Sequence, residues 1–210
     1  MDVPAQHAPK PVTSLPLPET PKTAAERVSD LIEDGSLYPS HYKALKNRAI
    51  SDEVILERGY ATWKGPHAAL EAEKGWGKGQ RDPKRYPALA YPIYQLGGET
   101  PHTYVYRPDQ PRKNKDGKAV KYEWCKGVRP VIDVLPKYKE ALADPAKPLW
   151  LSPEGSLKAD ALASIDVVSA AINGVFGWRA KNDMGASLIL PDFEGIVTKG
   201  RKGHCHINFV

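Results

Sequence analysis

The chain has 210 residues, with 30 Lys and Arg against 25 Asp and Glu and a formal net charge of +5 at pH 7. Apolar residues make up 41% and charged residues 26%, which is ordinary for a globular protein and argues against fibrous and membrane-bundle classes. Two cysteines are too few for a disulfide framework, and no apolar run is long enough to cross a bilayer. We therefore expect a cytoplasmic protein with no membrane partner and a mild preference for polyanions.

The sequence pattern changes three times along the chain, which predicts four segments. These are a disordered proline-rich tail, a helical entry, a β-rich region with basic loops, and a final segment in which strands and a helix alternate. In order, the segments span residues 1–22, 23–64, 65–147 and 148–210.

Three short helices are predicted in the second segment from their capping residues. Thr23 and Glu26 form a capping-box pattern ahead of a one-sided apolar stripe. Ser40 and Ser51 are expected to cap the two helices that follow. Those helices are predicted over residues 41–48 and 52–58.

The remaining elements predict an α+β or α/β fold. Three extended stretches in the third segment, at 88–95, 103–107 and 121–124, favour an antiparallel sheet with long connections. After Pro148, a buried-type strand at 149–152, a helix at 156–163 and a strand at 167–172 form a βαβ unit. A further strand is predicted over 204–209.

Glu154 is the sharpest candidate site residue. It follows a predicted parallel strand and precedes Gly155 and a helix start, the place where open α/β sheets bind ligands. The helix N-terminus offers N–H groups to a phosphate, whereas the carboxylate would repel that phosphate unless a magnesium ion lay between them. In the alternative interpretation, Glu154 caps a turn and pairs with Lys158 one helical turn along. Lys158 and Asp160 either orient Glu154 or form surface pairs.

The run Glu-Gly-x-Leu-Lys-Ala-Asp at 154–160, with Gly-Val-x-Gly-Trp-Arg at 174–179, resembles a TOPRIM-like domain family. That family is found in primase and primase-helicase proteins of plasmids and phages. Further stretches match it in the same order, so the resemblance runs from about residue 37 to the end. These stretches are 58–60, 107–112, 117–118, 121–123, 190–194 and 199–201.

The resemblance implies a partial TOPRIM-like βαβ sheet and magnesium-dependent phosphoryl transfer of the primase or nuclease type. It places Glu154 as the acid or base, with Lys158 and Asp160 as further catalytic candidates. It also implies an Asp-x-Asp pair that holds Mg2+ on a later strand, but residues 204–210 contain no acidic side chain. Glu154 is then the single expected metal ligand, and Mg2+ binding is expected to be weak.

Two basic clusters with interleaved aromatic side chains favour single-stranded DNA or RNA as the partner. The alternative is a pair of flexible charged loops whose aromatic rings pack on the core. The candidate nucleic-acid-binding residues are Trp76, Lys78, Arg81, Lys84, Arg85, Arg107, Arg112, Lys113, Lys115 and Lys118.

Three functional hypotheses remain open from the sequence. The first is a nucleic-acid-binding protein of a mobile element, related to primase-associated proteins. The second is a noncatalytic inhibitor or decoy of phage type that binds a protein partner. The third is a fragment of a longer primase-like enzyme.

Overall fold

The computed structural model describes residues 21–67, 80–125, 127–152, 154–174, 177–182 and 184–196. Almost all of the predicted tail, the predicted strand at 204–209, and the candidate residues Trp76 and Lys78 lie outside the described residues.

Three short helices open the described chain: α1 (Ala24–Glu33), α2 (Pro39–Lys46) and α3 (Asp52–Arg58). The capping box of α1 is confirmed, since Glu26 N donates to Thr23 Oγ1 at 3.3 Å and Thr23 N donates to the Glu26 carboxylate at 2.7 Å.

The caps of α2 and α3 differ in how well the sequence predicts them. Ser51 caps α3 as predicted, with Val54 N donating to its hydroxyl, and α3 ends at Gly59 in the left-handed region. The prediction that Ser40 caps α2 is wrong, because the helix begins earlier, after Tyr38. Pro39 occupies the first helical position, where its fixed φ suits a helix and its missing N–H costs nothing.

A four-stranded antiparallel sheet in the order β1-β2-β3-β4 confirms the predicted antiparallel arrangement. Its strands are β1 (Ala61–Trp63), β2 (Ala88–Ile93), β3 (Thr103–Pro108) and β4 (Glu123–Trp124). β2 is buried along its whole length, which agrees with its continuous apolar sequence.

A second sheet contains the predicted βαβ unit. Its strands are β5 (Asp133–Val134), β6 (Trp150–Ser152) and β7 (Ser169–Ala171), in the order β5-β7-β6. β6 and β7 are parallel and are joined by a helix over Ser156–Ala163, whereas β5 runs antiparallel to β7.

The remaining elements are two short helices and a hairpin. The helices are α4 (Lys139–Ala143) and α5 (Ser156–Ala163), and the hairpin joins β8 (Arg179–Lys181) to β9 (Ser187–Ile189). Short 3-10 turns lie at Pro83–Arg85, Pro136–Tyr138 and Pro191–Gly195.

One continuous apolar cluster connects these elements. It runs from Val28 of α1 through Ile55 of α3, Val105 of β3 and Ala170 of β7 to Ile196. The described chain is therefore an α+β fold. Within the described ranges, no helix is both long and apolar enough to span a membrane.

Candidate functional site

A cavity of about 430 Å3 lies at the carboxyl ends of the two parallel strands, and we call it the α5 cavity. Ser152 and Ala171 are paired at the last position of β6 and β7, so the chain leaves both strands at the same edge. Glu154 follows one strand and Asn173 the other, and the two residues form an isolated antiparallel bridge. This is where the strand pattern predicts a ligand site.

Gly155 shapes the entrance to α5. It is the N-cap residue, with φ +89° and ψ 177°, a conformation that is essentially restricted to glycine. No side chain caps this end of the eight-residue helix. The first N–H groups of α5 and the positive end of its dipole therefore lie at the cavity. The N-cap residue provides no side-chain acceptor for these N–H groups.

Two buried polar atoms at the α5 cavity have no hydrogen-bond partner among the described residues. They are Ser156 Oγ, in the first residue of α5, and Asn173 Nδ2, just beyond β7. A buried donor without a partner costs about 1–3 kcal/mol, so native proteins rarely leave such groups unsatisfied. An amide nitrogen can only donate, and a hydroxyl can donate, so both groups suit an acceptor such as a phosphate oxygen.

The charged side chains at the α5 cavity are Glu154, Lys158 and Arg48. Lys158 Nζ contacts the Glu154 carboxylate, and both side chains are 60% exposed. Such an exposed pair, one helical turn apart, contributes little to stability and can separate when a ligand binds. Arg48 comes from the turn after α2 and donates through Nη1 to the carbonyl of Ala44 at 3.1 Å. Among the described lining residues, two positive charges thus stand against one negative charge.

Glu154 does not stand in a magnesium site made by the described residues. Within the described ranges, no group of three or more His, Cys, Asp or Glu side chains could hold a metal ion. The single carboxylate already contacts an ammonium, whereas a magnesium ion prefers oxygen ligands in octahedral geometry. These residues therefore do not fit the metal site that the resemblance implies.

Aromatic side chains form another part of the α5 cavity. Tyr122 is 37% exposed, Trp124 of β4 is half-buried, and Tyr91 of β2 is buried. The first sheet and the residue before β4 thus contribute aromatic side chains to the cavity that the N-terminus of α5 also lines. A ligand with an anionic group and a planar ring matches this lining better than an inorganic anion alone.

Asp160, predicted as a catalytic candidate, lies in the core rather than beside Glu154. It accepts two hydrogen bonds from Arg58, at 2.9 Å from Nε and 2.6 Å from Nη2, and one at 2.5 Å from the Tyr60 hydroxyl. Arg58 Nη1 also donates to Asp133 Oδ1 at 2.7 Å. Burial and the nearby Asp160 raise the pKa of Tyr60 well above its ordinary value. Asp160 therefore joins α5 to α3 and is fully buried.

Two arginines of the predicted basic clusters share a buried carboxylate, Glu123 of β4. Arg85 Nη2 donates to it, and Arg112 Nε donates to it at 2.8 Å. Arg85 is buried, so its guanidinium stabilises the interior of the sheet and is not placed on the surface as its assignment to nucleic-acid binding required. Arg112 remains half-exposed at the same cluster.

The other described cations of the basic clusters lie on exposed turns. Lys113, Lys115 and Lys118 are exposed on a turn ordered by Asn114, whose Oδ1 accepts from Lys118 N at 2.8 Å. Arg81 and Lys84 are also exposed, at the turn before β2. Arg107 is half-buried and lines a separate cavity of about 350 Å3 with His41 and Asp109.

Sequence reasoning missed the following residues of the α5 cavity: Arg48, Tyr91, Tyr122, Trp124 and Asn173. A signal was present for Asn173, because it follows the second predicted parallel strand just as Glu154 follows the first. Arg48, Tyr122 and Trp124 reach the cavity from distant parts of the chain, and no local pattern marks them.

Comparisons with known proteins give distant structural likenesses only. No protein-family model matches the chain, and no curated protein sequence matches it. The zinc-binding and RNA polymerase domains of the Aquifex aeolicus primase are similar with a TM-score of 0.49 and 16% identity, over 70% of this chain and 40% of that one. The RNA polymerase domain of Mycobacterium tuberculosis primase DnaG has a TM-score of 0.45 and 14% identity, over 70% and 54%.

A DnaG primase catalytic domain bound to ssDNA is similar with a TM-score of 0.43 and 15% identity, over 72% of this chain and 55% of that one. The chain thus spans between 40% and 55% of the length of these three structures. Because each TM-score is below 0.5, none of these likenesses by itself assigns a role to a residue of this chain.

Proposed function

We propose that this chain binds single-stranded nucleic acid, with a phosphate group at the N-terminus of α5 and neighbouring bases against the aromatic wall of the α5 cavity. One observation carries the proposal. Ser156 Oγ and Asn173 Nδ2 are buried beside the N-terminus of α5, and neither atom has a hydrogen-bond partner in the part of the chain that the structure describes. A phosphate oxygen satisfies such donors and is favoured by the helix dipole.

The aromatic lining favours a nucleic acid over a free phosphate. Bases stack on exposed rings with about 1–3 kcal/mol per base, and Tyr122 and Trp124 offer rings at the same cavity as the phosphate donors. The exposed cations at Lys113, Lys115 and Lys118 add sequence-independent attraction for the backbone. The formal charge of +5 has the sign that this partner requires.

The resemblance to TOPRIM-like proteins supplies the biological setting of this proposal. We place the chain with primase-associated proteins that act in DNA replication of phages or plasmids. In that setting the Glu154 carboxylate repels the bound phosphate, and Lys158, which contacts that carboxylate, partly offsets the repulsion.

A fluorescence-anisotropy titration with a labelled oligothymidylate tests the proposal. Affinity is expected to fall steeply with salt, with log K falling by about 0.7 per decade of salt for each neutralised phosphate. Tyr122→Ala is expected to cost about 1–3 kcal/mol of binding free energy, because it removes one stacking surface. No binding by the wild type at low salt would contradict the proposal.

Lys158 has a matched control in Lys139, a second exposed lysine that pairs with a glutamate, Glu99, at 3.7 Å. Lys158→Ala is expected to weaken oligonucleotide binding, while Lys139→Ala leaves it unchanged. Equal affinities of the two variants would show that the α5 cavity is not the binding site.

Glu154→Gln tests the repulsion between the carboxylate and the bound phosphate. In EDTA the variant is expected to bind the oligonucleotide more tightly than the wild type, because one repulsive charge is removed. Equal affinities of the variant and the wild type would remove Glu154 from the site.

A further inference from the structure

A second cavity, of about 350 Å3, is lined by residues of α2, of β2 and β3, and of the loop between β3 and β4, and we call it the α2 cavity. Its volume is at the lower end of the range for small-molecule sites. None of its described lining residues lines the α5 cavity. Its charged lining residues are Arg107, Asp109 and Lys121, beside the imidazole of His41.

The register of the first sheet explains why Arg107 and Asp109 lie at this cavity. Thr62, Leu89 and Arg107 are paired in a row across β1, β2 and β3, so their side chains share one face of the sheet. The pairing continues just beyond β3, where Asp109 N donates to the carbonyl of Pro87 at 3.0 Å. Asp109 follows Arg107 by two residues, and α2 covers the same face.

A buried histidine holds Asp109 and leaves one of its oxygens available. His41 is 5% exposed, with Nε2 3.0 Å from Asp109 Oδ1 and Nδ1 2.7 Å from Thr62 Oγ1. A neutral imidazole satisfies both contacts, because the Thr62 hydroxyl can donate to Nδ1 while it accepts from Tyr38 N. Asp109 Oδ2 has no hydrogen-bond partner among the residues that the structure describes, and its side chain is 42% exposed.

The two cations of the α2 cavity have no ion-pair or side-chain hydrogen-bond partner within the described ranges. Arg107 is half-buried and Lys121 is exposed. Arg107 and Asp109 do not pair with each other although they line one cavity, so both remain available to a ligand. A half-buried guanidinium has lost part of its hydration, and a carboxylate matches its fork of N–H donors.

We propose that the α2 cavity binds a small acidic amino acid, a ligand with two carboxylates and one ammonium group. The described lining carries two cations and one carboxylate, and this ligand carries the opposite set of charges. Arg107 and Lys121 contact the two carboxylates, and Asp109 Oδ2 accepts from the ammonium group. A dicarboxylate without the ammonium group is disfavoured, because it meets the Asp109 carboxylate with no donor to offer.

Isothermal titration calorimetry with L-glutamate and L-aspartate, which differ by one methylene, is the first test. One of them is expected to bind saturably, at one site per chain. Two sets of relatives each lack one charged group: glutarate and succinate lack the ammonium, and L-glutamine and L-asparagine lack one carboxylate charge. Each is expected to bind at least about tenfold more weakly than its parent, because it leaves a charged group of the cavity without a partner.

Asp109→Asn tests the ammonium contact, because the variant keeps an oxygen that can accept from His41. It is expected to weaken binding of the acidic amino acid at least about tenfold and to strengthen binding of the matching dicarboxylate, since a repulsive charge is removed. Arg107→Gln is expected to weaken both. Asp116→Asn and Arg81→Gln are the matched controls, because they make the same changes at exposed positions outside the cavity. Circular dichroism verifies that each variant is folded.

Three results would overturn the proposal. The first is that neither L-glutamate nor L-aspartate binds in the millimolar range. The second is that glutarate or succinate binds as tightly as the amino acid, which would indicate a site for plain dianions. The third is that Asp109→Asn binds the amino acid as Asp116→Asn does. The nucleic-acid function fails or holds separately, because its test uses an oligothymidylate and variants of the α5 cavity.

Discussion

Replacing Arg58 by alanine is expected to destabilise the protein more than any surface substitution. Arg58 is buried and donates to two fully buried carboxylates, those of Asp133 and Asp160. Its removal leaves both carboxylates without their cation in a region that water does not reach. Removing one partner of a buried ion pair typically costs about 3–5 kcal/mol.

That cost is large against the stability of an ordinary domain, which is about 5–15 kcal/mol. For a chain of this size, each kcal/mol lowers Tm by about 2–4 °C, so Arg58→Ala is expected to lower Tm by about 6–20 °C. Urea unfolding followed by circular dichroism measures the free energy, and a thermal scan measures Tm. Arg27→Ala is the control, because Arg27 is an exposed arginine of α1 and its loss is expected to change stability by less than about 0.5 kcal/mol.

A triple variant tests the electrostatic part of this reasoning. Replacing Arg58, Asp133 and Asp160 together by Met, Leu and Leu removes the uncompensated charges and is expected to recover most of the lost stability. A loss below about 1 kcal/mol in Arg58→Ala would refute the reasoning. The triple variant also leaves the Tyr60 hydroxyl and the Tyr94 N–H without their acceptors, so it is expected to remain below the wild type in stability while exceeding Arg58→Ala.

Three further substitutions test local features of the fold. Gly155→Ala is expected to cost about 1–3 kcal/mol in urea unfolding, because φ is +89° there, and to weaken oligonucleotide binding by displacing the start of α5; wild-type stability would contradict this. Tyr138→Phe is expected to raise stability at pH 7, because the Tyr138 hydroxyl is buried without a partner among the described residues. Burial also raises the pKa of Tyr138 to about 12, so the free energy of unfolding is expected to be unaffected by this group below about pH 10 and to fall as pH rises from there through 12; Tyr138→Phe should flatten that part of a pH series of unfolding curves. Thr23→Ala is expected to cost about 1 kcal/mol through loss of the capping box, and an unchanged urea midpoint would show that the cap is not needed.

Local sequence signals predicted the elements that are determined locally. The capping box at Thr23 and the cap at Ser51 each lie within a few residues of the helix start that they define. The βαβ unit was predictable because its two strands and its helix are adjacent in sequence and the predicted strands at 149–152 and 167–172 are mostly apolar.

The short strands were not predictable in the same way. β1 and β8 have three residues each and β5 has two, too few to show a period of two. Their place in the sheets comes from pairing with residues distant in sequence, such as Asp133 with Ala171. Tertiary pairing, rather than local preference, decides such segments.

The candidate site also combines features that the local sequence predicts with features that contacts between distant residues decide. The positions of Glu154 and Gly155 at a strand end followed from the pattern, but the burial of Asp160 did not, because its partner Arg58 is 102 residues away. From sequence alone, Asp160 and Lys158 both look like residues of an exposed helix face. The fold buries one among its partners and leaves the other at the cavity rim.

Amide chemical shifts during a titration with an oligothymidylate test the phosphate site at α5 most directly. In a 15N-labelled sample, the backbone amides of Gly155, Ser156 and Leu157 and the side-chain amide of Asn173 are expected to shift first, since these residues line the α5 cavity. Their shifts should saturate together with the anisotropy signal. Saturable binding that leaves these amides unchanged, with shifts confined to other parts of the chain, would contradict a phosphate site at the start of α5.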